Sequence, residues 1–185
     1  SHGANNIVLI EKNTIASGAT GHAAGMLSAD PESEYLHNFF KKLGERKTLI
    51  FLHSQHATLH TMEHIIKKES ISCDFERDPY LIVEPPSVKI HQAVEEYKIN
   101  KKLHNQIRLL IGKELEKELR TNLFRYGILS HQGASINPLK YTQNLSNAVA
   151  KMGVDIYENT PLLEQNGNVA TTPNAKIRFK HMIYA

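Results

Sequence analysis

The run NIVLIEK, Asn6–Lys12, followed by SGATGHAAGM, Ser17–Met26, decides the fold. Ile7, Val8, Leu9 and Ile10 are four consecutive apolar residues, and Glu11 follows them. A continuous apolar run bounded by turn formers predicts a strand buried on both faces, as in a parallel sheet. The second run places Gly18, Gly21 and Gly25 among Ser17, Thr20, His22 and small alanines. Residues without bulk let a backbone approach another group closely, and glycine amides can face a phosphate or a flat ring. Ser17 and Thr20 add hydroxyls. A helix opening near Ala23–Ala24 would add positive potential at its N-terminus. The bland alternative is a tight turn with close helix packing, which favours the same small residues.

A strand that ends in an acid has a known use. In dinucleotide-binding folds the first strand leads into a glycine-rich turn, and an acid about 20 residues further on accepts hydrogen bonds from a ribose. Glu11 fits that acid. The chain contains no GxGxxG, so the glycine-rich turn is expected upstream of residue 1, and the chain is expected to be a fragment of a larger protein. Solubility alone also accounts for many strand-terminal acids.

Further along, Pro31 is expected to restart a helix, and the pattern from Glu32 to Lys68 is helical with a break near Gly44. SCDFER and PYLIVE (Ser72–Arg77 and Pro79–Glu84) read as two short strands, paired as a hairpin or as neighbours. Val88–Phe124 reads as helical and strongly charged. YGILSHQGASI reads as strand, turn, strand. Asn137 is a good N-cap with Pro138 at the first helical position, and Gly153 is the expected stop after Lys151. VDIYE, PLLEQNGNVATT and AKIRFKHMIYA supply three or four strands, with turns at Asn166-Gly167 and Asn174. The fold class is therefore α/β with an additional antiparallel part.

With 185 residues, 41% hydrophobic and 22% charged, the chain has the composition of a globular protein of one or two domains. A net charge of +3 is too small to imply nucleic acid or a membrane surface. No apolar run approaches the ~20 residues of a membrane span. A lone cysteine, Cys73, excludes an internal disulfide framework and suits a reducing, cytoplasmic location. His53, His56, His60 and His64 form a stripe opposite the apolar face of Thr48–Lys68. Such spacing can hold a transition metal, but no cysteine or suitably placed carboxylate completes the set, so no metal is assigned.

Two blocks carry a family resemblance. IVLIEKNTIASGATGHAAGML (Ile7–Leu27) resembles the second strand and following loop of the FAD-dependent D-amino-acid oxidase superfamily, which includes glycine oxidase, sarcosine oxidase and the sarcosine and dimethylglycine dehydrogenases. YGILSHQGASINPLKYTQNLSNAVAKMGVDIYENTPLLE (Tyr126–Glu164) resembles its second characteristic block: a strand, an Asn-Pro helix, then a Gly-Val strand with an acid and a Thr. CDFERDPYLIVE resembles the entry to the substrate domain. The resemblance implies a partial Rossmann-like FAD-binding domain at 1–69, part of an antiparallel-sheet substrate domain at 70–133, and a return to the FAD-binding domain at 134–185.

It further implies that Glu11 binds the adenosine ribose. Ser17, Thr20 and Gly21 lie near the pyrophosphate and ribityl chain, and Ala24, Gly25 and Met26 pass along the flavin ring. In the sarcosine and dimethylglycine dehydrogenases a similar T-x-H-A-A-G run carries the histidine bonded to the flavin 8α-methyl. Here Gly21 stands where those enzymes usually have an aromatic residue, and His22 is open to three roles: covalent attachment, noncovalent flavin contact, or structure. The implied function is oxidation of a small-molecule amine or amino acid by hydride transfer to flavin. The chain alone is expected to be inactive, to hold FAD weakly or not at all, and to self-associate through exposed strand edges. Arg77, Tyr80 and Arg125 are only candidate substrate contacts; each is read first as a surface or packing residue. The alternative is a non-enzymatic helical interaction or metal-binding module.

Overall fold

The computed structural model describes residues 6–28, 36–84, 87, 89–103 and 106–185. The expected helix restart at Pro31 lies outside them. The chain divides into two compact units, one of Ser1–Ala24, Lys68–Cys73 and Asn137–Ala185, the other of Gly25–Lys67 and Asp74–Ile136.

In the first unit, β1 (Val8–Ile10) pairs in parallel with β7 (Asp155–Tyr157), Val8 opposite Asp155 and Ile10 opposite Tyr157. The parallel sense is as expected; the two-sided burial is not. Ile7, Val8 and Leu9 are 43%, 40% and 37% exposed. A parallel strand is buried only when flanked and covered, and among the described residues β7 is the one strand that pairs with β1. Helix α5 (Pro138–Lys151) precedes β7. The Asn137 side chain accepts the Lys140 N–H at 3.1 Å, and Pro138 occupies the first position, where a missing N–H costs nothing. Gly153 ends the helix at φ +91°, its N–H donating to the Ala150 carbonyl at 2.9 Å. The strands β8 (Glu164–Asn166), β9 (Val169–Thr171) and β10 (Lys176–Arg178) form an antiparallel meander. The Gly167-Asn168 turn joins β8 to β9, with Asn166 paired to Val169. The buried Thr172 closes the next turn, its hydroxyl donating to the Ala175 carbonyl at 3.0 Å. His181–Ala185, expected as a strand, is assigned none; Ile183 is 90% exposed.

In the second unit, helices α1 (Leu36–Leu43) and α2 (Glu45–Lys68) meet at Gly44, the expected break. Glu96, from α3 (Ile90–Leu103), accepts the Leu36 and His37 backbone N–H groups and pairs with His37 Nδ1 at 3.0 Å, so a side chain distant in sequence caps α1. Thr48, Leu52, Leu59 and Ile66 form the buried stripe of α2. His53, His60 and His64 stand exposed and His56 half-buried, and no group of three His, Cys, Asp or Glu able to hold a metal occurs among the described residues.

The main sheet is antiparallel: β5 (Tyr126–Ser130) lies between β3 (Tyr80–Val83) and β4 (Ile107–Ile111). All five residues of β5 are buried. Leu110, Leu129 and Leu115, the last on α4 (Lys113–Leu119), form a core cluster with Leu81, Val83, Leu119 and Phe124 packed against it. Strand β4 corrects the helical reading of Val88–Phe124. Two charged helical segments flank IRLLI and mask its short extended pattern, in which Ile107 and Leu110 are buried. The expected SCDFER–PYLIVE pairing is also corrected: Glu76 bridges Ser135, and β3 pairs with β5. Finally, AAGML opens no helix. Ala23 is extended, Gly25 sits at φ +77°, and β2 (Met26–Leu27) pairs with β6 (Ala134–Ser135). Ala and Gly supply no periodic apolar face to hold a helix there.

Candidate functional site: the loop after the first strand

The parallel ladder does not stop at Ile10. Glu11 N–H donates to the Tyr157 carbonyl at 2.9 Å, Thr160 N–H to the Glu11 carbonyl at 2.8 Å, and Asn159 N–H to the Asn13 carbonyl at 2.7 Å. The segment after β7 thus clasps the segment after β1. Glu158 completes the clasp, its Oε1 accepting the Ile15 N–H at 2.6 Å. Glu11 stands half-buried at the strand end, and its Oε1 accepts the Asn13 N–H at 2.8 Å.

Beyond Ile15 the chain turns sharply. Ala16 adopts φ +65°, and Ser17 N–H donates to the Thr14 carbonyl at 3.0 Å. A 3-10 turn over Ala19–His22 follows and packs against α5. Gly21 is required here: a Cβ on it would lie 1.9 Å from the Ala16 carbonyl oxygen. Ser17, Thr20, His22 and Ala24 are exposed. His22 Nδ1 lies 2.8 Å from the Gly18 carbonyl. A carbonyl only accepts, so Nδ1 carries the proton, and in the neutral ring Nε2 keeps its lone pair. With no helix at Ala23–Ala24, the expected helix-terminus potential is absent from this loop.

The first unit therefore contains Glu11, Ser17, Thr20, Gly21, His22 and Ala24, while the buried Gly25 and the exposed Met26 belong to the second. A strand-end carboxylate, two exposed hydroxyls, and a backbone packed too closely for a Cβ are group types suited to a nucleotide cofactor. Glu158 was visible in the sequence only as the acid of a Gly-Val strand. Its partner lies 143 residues away, a pairing that no local pattern reveals.

The candidate substrate contacts lie in the second unit. Arg77 donates to Glu63 Oε2 from Nε at 2.9 Å and from Nη2 at 2.5 Å, and to His60 Nδ1 at 3.2 Å. Its guanidinium lies 5.9 Å from the centre of the Phe75 ring. Hydrogen bonds from Lys67 and then Arg77 pull the Glu63 carboxyl from its ordinary 4.5 to about 2. Tyr80 packs against Gly133. Arg125 lines an open cavity of about 790 Å³ with Lys89, Ile90, Ile111, Phe124 and Tyr126. Burial pushes the Tyr126 hydroxyl above its ordinary 10.0. No helix among the described residues is long and apolar enough to cross a membrane.

Comparison with known proteins bears on the fold and the family. The chain is 23% identical over 168 residues to the probable oxidoreductase OrdL of Haemophilus influenzae, covering 88% of this chain and 38% of that protein. Glycine oxidase from Geobacillus kaustophilus shares its fold, with a TM-score of 0.71 at 18% identity, over 94% of this chain and 46% of that one. L-amino acid deaminase from Proteus myxofaciens aligns with a TM-score of 0.69 at 17% identity, over 94% and 38%. The chain thus spans less than half the length of each. The family model for FAD dependent oxidoreductases (DAO) matches residues 1–185. FAD is the cofactor of that family, and this chain belongs to it.

Proposed function

We propose that the protein oxidises a small-molecule amine or amino acid. Hydride leaves the carbon beside nitrogen, and the resulting imine hydrolyses to a carbonyl compound and an amine. Bound FAD supplies the hydride acceptor. The supporting observation is the clasped loop, which exposes Ser17, Thr20 and His22 just beyond the strand-end acid Glu11.

In this reading Glu11 accepts hydrogen bonds from the ribose hydroxyls. Ser17 and Thr20 donate their hydroxyls near the pyrophosphate and ribityl chain, where Gly21 admits close backbone approach. Ala24, Gly25 and Met26 lie along the ring. The fixed Nδ1–H of His22 leaves Nε2 as the atom that contacts the flavin, or bonds to it in the covalent variant of the same reading. The spans 1–69 and 134–185 serve the cofactor and 70–133 the substrate, with Arg77, Tyr80 and Arg125 as its candidate contacts. One cysteine suits a cytoplasmic setting.

The 185 residues span less than half of either structural relative, and we assign them no turnover and weak FAD affinity by themselves. Exposed Ile7, Val8 and Leu9 favour association between copies.

The test purifies the product of the complete reading frame beside the 185-residue chain. The former is expected to be yellow and to bleach anaerobically with a member of an amine and amino-acid panel. A flavin-free product overturns the reading. Flavin fluorescence that stays with the denatured protein and is lost in His22→Ala establishes covalent attachment; its absence in the unmodified protein excludes that variant. The shorter chain is expected to be colourless, and stoichiometric flavin on it overturns the weak-affinity assignment. A strict monomer in light scattering overturns the association.

A further inference from the structure

We propose that Glu158 is a positioning residue for the cofactor loop, its carboxylate holding Ile15–His22 in the shape that receives FAD. The proposal rests on the flavin reading above and adds a residue that the reading leaves without a role.

Glu158 Oε1 accepts the Ile15 N–H at 2.6 Å. Glu158 is held in turn. Its backbone lies between Tyr157, whose carbonyl accepts Glu11 N–H, and Asn159, whose N–H donates to Asn13. Its own carbonyl accepts the Thr160 hydroxyl at 2.9 Å. Asn159 sits at φ +51°, a left-handed conformation that asparagine tolerates better than most residues.

The consequence passes along the loop residue by residue. Ile15 fixed by Glu158 is followed by Ala16 at φ +65°. Alanine is strained in that region and stays there only when its surroundings enforce it. Three contacts do so: the Ser17–Thr14 backbone hydrogen bond that closes the turn, the Ile15–Glu158 hydrogen bond on one side, and Gly21 on the other, whose missing Cβ leaves room for the Ala16 carbonyl. Gly21 lies within the 3-10 turn that presents Thr20 and His22. Releasing Glu158 frees Ala16 to relax toward negative φ, which moves its carbonyl and loosens the turn resting on it. Glu158 thereby governs Thr20 and His22 without touching FAD.

The test is hydrogen–deuterium exchange on the product of the complete reading frame, stripped of flavin, with and without excess FAD. Glu158→Ala is expected to speed exchange over Ile15–His22 by about tenfold, the scale of one lost charge-assisted hydrogen bond. Glu158→Gln, whose amide oxygen can still accept from Ile15, is expected to restore most of the protection. Gly21→Ala disrupts the same turn from another support and is expected to resemble Glu158→Ala while leaving the β1–β7 ladder protected. Excess FAD is expected to protect the loop in the unmodified chain and in Glu158→Gln, and to fail in Glu158→Ala. Unchanged loop exchange in Glu158→Ala overturns the proposal. So does Glu158→Gln behaving like Glu158→Ala, which would show that general disruption and not the accepted hydrogen bond is at work. FAD protection surviving intact in Glu158→Ala also overturns it. If FAD protects no form while the exchange differences stand, the positioning role holds and the flavin reading fails.

Discussion

The loop Thr14–His22 and the sheet β3-β5-β4 are built by opposite means. The loop is mostly exposed and owes its shape to directed hydrogen bonds, one left-handed alanine and one obligatory glycine. The sheet buries every residue of its central strand and is held by leucine packing. Directed hydrogen bonds specify a shape at little net stabilisation, because the same groups would otherwise bond to water. Packed apolar side chains supply stability and tolerate little change in volume. A site that must contact a ligand needs the first kind of construction, and the frame of a domain needs the second.

The comparison is broken most directly at Leu115. It is fully buried in the cluster with Leu110 and Leu129. Leu115→Ala is expected to cost about 3 kcal/mol, a lost side chain plus the cavity left behind. Exchange within β3, β4 and β5 should rise together in that variant, while the Glu11–Tyr157 clasp keeps its protection. A loss below about 1 kcal/mol in chemical denaturation, or clasp and sheet opening together, would show that the two regions do not differ as described.

A smaller effect sharpens the other side. Asn137 accepts the Lys140 N–H and caps α5, the helix against which the Ala19–His22 turn packs. Asn137→Ala is expected to cost about 1 kcal/mol and to appear first as faster exchange in the opening turn of α5. Asn137→Asp should retain most of the protection, since a carboxylate accepts the same bond. Equal exchange in all three forms would mean that Pro138 alone fixes the helix start.

The sequence was most legible where local chemistry and final structure agree. Asn137-Pro138 and Gly153 bound α5 because capping and helix termination depend on neighbouring atoms. Gly167 turns the β8–β9 hairpin for the same reason. The parallel sense of β1 followed from its unbroken apolar run, but its burial did not, because burial depends on what lies against both faces. Strand β4 was hidden since IRLLI sits between two helices whose charged periodicity dominates any window long enough to measure it. The candidate loop stood out as a composition: small residues, hydroxyls, an acid and a histidine. Its organising contact was not, because Ile15 and Glu158 meet only after β1 and β7 have paired.

The smallest expected effect concerns a polar contact of the second unit, where the packing argument predicts that charge contributes little. Arg77 and Lys67 both bond Glu63, and its carboxyl lies at about 2 instead of 4.5. A depressed carboxylate stabilises the folded state above its unfolded value and loses that contribution as pH falls through the folded one. The contribution should therefore be complete above about pH 5 and gone near pH 2. Solvent screening limits a surface pair of this kind to about 1 kcal/mol or less. Glu63→Gln should thus lower stability by that amount at neutral pH, and the gap from the unmodified protein should close on acidification. Added salt should narrow it too, since exposed charges are screened within about 10 Å at moderate ionic strength. Chemical denaturation at several pH values reads the difference. A gap that persists undiminished at the acid end would mean that Glu63 acts by packing, and that this polar contact belongs with Leu115 rather than with the loop.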